Sequence, residues 1–182
     1  MKHLKILGGL LIAYTINSCS LAGDTEPTEL PPITQEGKNT FGCKVNGKVW
    51  IPNGFSNGFG NPTPPVSIYF RKRCDDRGNC TTYNTWIFEL LAKKGTGENT
   101  GSLYVSAYSM YLDGTADDLG ATFKYNDVNY GVDINLPNTF NITRLDTTAK
   151  IIAGTFYFTG TDAKGNKITV TDGRFDAKIL KK

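Results

Sequence analysis

The 182-residue chain contains one histidine, His3, at its very start. Everything downstream lacks an imidazole. That excludes a Ser-His-Asp triad and a Cys-His pair, and it excludes the zinc sites built with histidine. Catalysis would have to rest on paired carboxylates, Lys, Tyr or Cys. A field of one sign is missing as well. Twenty Lys and Arg stand against 17 Asp and Glu, and Lys2 and Lys5 belong to the leading segment, so the remainder is close to neutral. Nothing there would attract nucleic acid. No stretch sustains a 3.6-residue apolar period, which argues against a helical domain. The leading apolar run, Ile6 to Ile16, is too short to cross a bilayer, which takes about 18–20 residues.

That short run is informative in another way. Lys2 and Lys5 ahead of it and the apolar stretch itself have the form of a secretory signal. Ile16-Asn17-Ser18 then precede Cys19. An ordinary cleavage site wants small residues at both −3 and −1, and Ile16 does not fit. The segment resembles a lipobox, with a bulky aliphatic residue at −3, a small one at −1 and a cysteine to be acylated. The resemblance implies a lipoprotein signal peptide over residues 1–19 and lipidation of Cys19. Each buried acyl CH₂ contributes about 0.8 kcal/mol, and one chain holds a protein only weakly. Lipoproteins of this kind carry two or three chains, enough for a permanent anchor. The expected location is therefore the cell envelope, lipid-anchored at the outer membrane, with the leaflet open.

Residues 20–38 read as a flexible tether. Pro27, Pro31 and Pro32 stiffen it, while Asp24, Glu26, Glu29 and Glu36 keep it solvated. Fully extended it would reach about 60 Å. Residues 39–182 then form a single domain of ordinary size.

The domain reads as a succession of short strands. Asn46-Gly47 between Thr40–Val45 and Lys48–Ile51 is a strong hairpin signal, because both turn residues need positive φ. Val66 to Arg71 alternates with period two, and Thr85 to Ala92 returns with Trp86, Phe88 and Leu90 on one face and Glu89 on the other. Between them Cys74 and Cys80 close a loop. A disulfide there suits an exported protein and contributes roughly 2–2.5 kcal/mol in the chain-entropy model; the rival pairing uses Cys43. In Ser102 to Leu112, Leu103, Val105 and Ala107 face inward, and Tyr104, Tyr108 and Met110 face the other way. Asp113 to Asp118 is an acidic loop with room for a short helical turn. Shorter strands follow at Thr122–Tyr125 and Tyr130–Ile134. Phe140–Leu145 alternates again, and Asp146 to Ala149 is a turn. Ile151–Thr159 is the strongest strand. Lys167–Thr171 and Arg174–Ile179 end the chain on either side of Asp172-Gly173. This is an all-β protein, best described as an antiparallel β-sandwich, with a β-barrel as the alternative.

Two blocks stand out: Asn39 to Trp50, and Ile152 to Phe158 followed by Ile168 to Asp176. Together they resemble a family of Bacteroidetes lipoproteins catalogued as a domain of unknown function. The resemblance implies an envelope lipoprotein and carries no catalytic residues. Both blocks also have a complete reading as hairpins.

The sites that remain are weighed against ordinary structure. Tyr69, Tyr104, Tyr108 and Tyr157, with Trp50, would make a platform on which sugar C–H faces stack, with Glu89, Asn141 and Arg144 as polar neighbours; the competing account is cross-strand packing. Asp113, Asp117 and Asp118, or Asp75, Asp76 and Asn79, are hard oxygen donors suited to calcium, but no EF-hand spacing is present. They read as solvated turns, and no metal or cofactor is assigned. No pair of acids sits in a glycosidase-like motif, so a carboxylate-dependent hydrolase is a remote alternative. Asp146-Thr147-Thr148 resembles the O-glycosylation sequon of exported Bacteroidetes proteins, with Thr147 as the acceptor. The expected function is a non-enzymatic binding or interaction module for a glycan or protein partner. The other class is a structural or accessory subunit of an envelope complex without a small ligand.

Overall fold

The computed structural model describes residues 26–54, 64–95, 100–116, 119–133 and 135–180. The signal segment with Cys19, the start of the tether, and Phe55, Phe59, Asp117 and Asp118 lie outside them. Within the described residues the chain is all-β, without a helix. Its strands are β1 (Thr40–Val45), β2 (Lys48–Trp50), β3 (Val66–Lys72), β4 (Trp86–Lys94), β5 (Gly101–Met110), β6 (Leu119–Tyr125), β7 (Val128–Val132), β8 (Thr139–Asp146), β9 (Ile151–Thr161) and β10 (Lys167–Lys178). They form one antiparallel sheet in the order β2-β1-β10-β9-β7-β6-β5-β4-β3, with β8 paired to β9 beside that path. The sheet curls into a half-barrel, the kind of architecture that a sandwich or barrel reading anticipates. Past β10 the Leu180 amide donates to the Ile68 carbonyl on β3 at 2.8 Å. The segment that follows β10 thus meets the edge strand β3 along a seam.

Alternation sends one face of each strand inward. Phe88, Leu90 and Ala92 of β4 and Leu103, Val105 and Ala107 of β5 are buried, as are Phe156 and Phe158 of β9 and Ile168 and Val170 of β10. A fully buried large apolar side chain contributes about 1.5–3 kcal/mol. Trp50, expected on the aromatic platform, is instead 1% exposed. Its ring meets Phe123 edge-on at 5.2 Å and Phe41 at 6.0 Å, a favoured aromatic geometry.

Two register slips correct the strand readings. Between the pairs Phe88–Ala107 and Trp86–Met110 the ladder shifts. The extra residue in β5 reverses the side-chain alternation, so Met110 is fully buried rather than outward with Tyr104 and Tyr108. The second slip lies between Val170 and Gly173, with Asp172 at φ 53°. It absorbs the Asp172-Gly173 break, and what reads as two strands is one, β10. A third difference is the Asn126-Asp127 turn, with φ 46° and 64°. It joins β6 and β7 as a tight hairpin without glycine, where Asn and Asp tolerate the left-handed region.

The Gly-x-Phe pattern in both late strands has a packing reason. Gly154 faces Phe175 and Gly173 faces Phe156 across the β9–β10 ladder. A Cβ on Gly154 would come within 2.6 Å of the Phe175 ring, and one on Gly173 within 2.5 Å of the Phe156 ring. Each glycine leaves the space that the opposite ring occupies.

Part of the tether is held against the domain. Asp176 is 1% exposed. Its carboxylate accepts from Thr34 Oγ1 at 2.6 Å, Gly37 N at 2.6 Å, Glu36 N at 3.0 Å and Lys38 N at 3.3 Å. Arg174 and Arg144 donate to the carbonyls of Pro31 and Gln35. Glu26 pairs with Lys94, whose side chain is only 3% exposed. Residues 26–38 therefore form a strap from the Lys94 end of β4 to Asp176 near the end of β10.

Candidate functional site

Three of the four candidate tyrosines share one surface. The β3–β4–β5 ladders align Tyr69, Glu89 and Ser106, with Tyr104 opposite Leu91. Tyr104 and Tyr108 lie two residues on either side of Ser106 and are 36% and 51% exposed, while Tyr69 is half-buried. The Tyr104 hydroxyl donates to Glu89 Oε1 at 3.2 Å. Partial burial, and then the negative charge of Glu89, push the Tyr104 phenol above its ordinary pKa. The phenol remains a hydrogen-bond donor at neutral pH, with its ring fixed by the carboxylate.

Tyr157 is not part of this surface. It is exposed on β9 opposite Thr139 of β8, and β6 and β7 separate β9 from β5. Asn141 and Arg144, expected beside the tyrosines, belong to β8. Arg144 is engaged by Asp146 at 2.9 Å and by the strap. Of the expected polar neighbours, Glu89 is the one in place.

The acidic loops serve their own backbones. Asp75 accepts from the Asn79 and Arg77 amides and the Thr82 hydroxyl. The Asn79 amide, then Thr82, hold its carboxyl below the usual range. Asp113 accepts from the Thr115 amide and hydroxyl, which lower it likewise. Asp146 braces the turn carrying Thr147 through the Ala149 and Thr148 amides, and Thr147 is exposed there. Cys74 and Cys80 are joined. Cys43 is a free thiol, and burial pushes its pKa well up.

Beside the tyrosine surface is a cleft that strand-by-strand reading misses. It lies at the seam and has a volume of about 310 Å³. Phe70 and Trp86, stacked in parallel at 4.9 Å, form its base. Ile179 and Leu180 wall it, and exposed Arg71, Lys150 and Thr147 form its lip. These residues come from four separate parts of the chain, so no local pattern announces them. The available signal was Trp86, an aromatic residue at a strand end beside a loop. No known protein family, curated protein or solved structure matches the chain.

Proposed function

We propose that this chain is a non-enzymatic binding module of a bacterial cell envelope, held at the outer membrane by lipid on Cys19, and that its ligand is a glycan engaged by the outer face of β3, β4 and β5. One observation carries the reading. Tyr104 and Tyr108 present exposed rings on the same outer side of β5, one on either side of Ser106, and Glu89 fixes the first of them. Aromatic faces bury sugar C–H groups, and an adjacent carboxylate accepts sugar hydroxyls. A site on a strand is better ordered than one on a loop.

Affinity electrophoresis of the full chain through polysaccharide gels tests this. Retardation by at least one polysaccharide is expected, and it should be lost in Tyr104→Ala and Tyr108→Ala with mobility in blank gels unchanged. Retardation that survives both substitutions refutes the site. The anchor has its own test. Cells fed a clickable fatty acid should label the protein, and Cys19→Ser should abolish the label.

A second reading has one observation in its favour. Strand β8 is hydrogen-bonded to β9 and lies off the main path of the sheet. An open edge can accept a strand from another chain, as an accessory subunit of an envelope complex would use it.

A further inference from the structure

We propose that the seam cleft receives the carboxylate of an acidic sugar, so that the ligand of the adjoining tyrosine face is an acidic rather than a neutral saccharide. This deepens the glycan reading and rests on it. The two surfaces meet at the β3 edge, with the tyrosines on the outward face and the Phe70 and Trp86 rings on the inward one. Arg71 follows Tyr69 by two residues on the same side of β3, and Leu180, which bridges to Tyr69, walls the cleft. A saccharide lying across the tyrosines would turn over that edge, past Arg71, to reach it.

The cleft has the right charge. Arg71 and Lys150 stand at its lip, and Lys72 holds its ammonium 5.5 Å from the centre of the Trp86 ring. No acidic residue lines it. The carboxylate of the adjoining turn, Asp146, is taken up by Arg144 and by its own turn amides. Among the described residues neither Arg71 nor Lys150 has an ion-pair partner. The apolar base of stacked rings strengthens any charge pairing above it, because it keeps water away from one side. A volume of about 310 Å³ suits one sugar unit rather than a whole chain.

Lys150 supplies an independent argument. Its backbone has φ 57°, a left-handed conformation that suits Gly or Asn and strains a longer side chain. The turn's own need is a carbonyl that accepts from the Ile179 amide at 2.8 Å, and glycine would meet it equally well. Strain of this kind persists where a side chain is wanted for another purpose. At this position the side chain delivers a cation to the cleft.

The test is an array of uronate-, sialic acid- and neutral-sugar chains, with hexaglutamate beside them, probed with the full chain in detergent. An acidic saccharide should bind about tenfold or more tightly than its methyl-esterified form, and hexaglutamate should bind weakly. Lys150→Gly should raise Tm by about 2–4 °C and weaken acidic-sugar binding about tenfold; Arg71→Gln should weaken it similarly at unchanged Tm. Equal binding of acid and ester, lost in Tyr104→Ala, would overturn the acidic-sugar inference and leave the glycan reading standing. Binding of hexaglutamate as tight as the best saccharide would assign the cleft to acidic peptides and overturn it. Undiminished binding by Lys150→Gly would do the same. Failure of every saccharide to bind would remove both readings.

Discussion

At Asp176 a carboxylate with almost no exposed surface gathers four hydrogen bonds from a segment about 140 residues earlier in the chain. Burial alone would raise its pKa, but the Thr34 hydroxyl and three amides outweigh burial and hold it below the usual range. The sign of the pH dependence follows. The folded pKa lies under the unfolded value of about 3.9. The stabilisation is therefore complete above that value and is lost as pH falls through the folded pKa. Asp176→Asn should cost about 2–3 kcal/mol at neutral pH, read from the urea midpoint. The gap between the two proteins should shrink below about pH 3. A gap unchanged from pH 7 to pH 2 would show that the charge is not what holds the strap. Asp176 in isolation carries no mark of this role in the sequence. Its donors become its neighbours only once β10 lies beside β1.

At the scale of the element, the paired strands β9 and β10 explain both what is legible and what is not. Period-two alternation marks β3 and β4 because their ladder runs without interruption, and Asn46-Gly47 marks its hairpin through φ alone. The bulges in β5 and β10 leave no periodic trace, since each adds one residue and simply restarts the alternation in the opposite sense. That is why Met110 reads as outward and β10 as two strands. The Gly-x-Phe repeat is legible once its reciprocity is seen. In antiparallel strands it places each glycine under the other strand's ring. Gly154→Ala should cost about 2–3 kcal/mol, as overpacking does, measured by chemical denaturation. Part of that cost should be recovered in a Phe175→Leu background, because the two positions are in contact. Strict additivity would mean that the clash with the Asn141 carbonyl, 2.6 Å from the added Cβ, accounts for the whole effect. Beyond Trp86 at its strand end, the seam cleft left no mark in the sequence, because its residues meet only through the curl of the sheet.

For the whole molecule, the strap carries the folded unit back from Asn39 at least as far as Glu26. Composition points the other way, because proline and acidic residues are what solvated linkers contain. Here Pro31 packs over Gly42, where a Cβ would come within 2.8 Å of it, and Glu26 neutralises the buried Lys94. A chain beginning at residue 39 should melt on the order of 10 °C below one beginning at residue 26; equal melting temperatures would show that the strap is only laid on the surface. If Cys19 carries lipid, the leash left between the bilayer and the domain spans at most about 25 Å, not about 60 Å. Accessible volume scales with the cube of the radius, so the search space contracts roughly tenfold and the effective concentration at the membrane surface rises by the same factor. Such a module would capture what is already at the membrane, and polymers farther out would have to come to it.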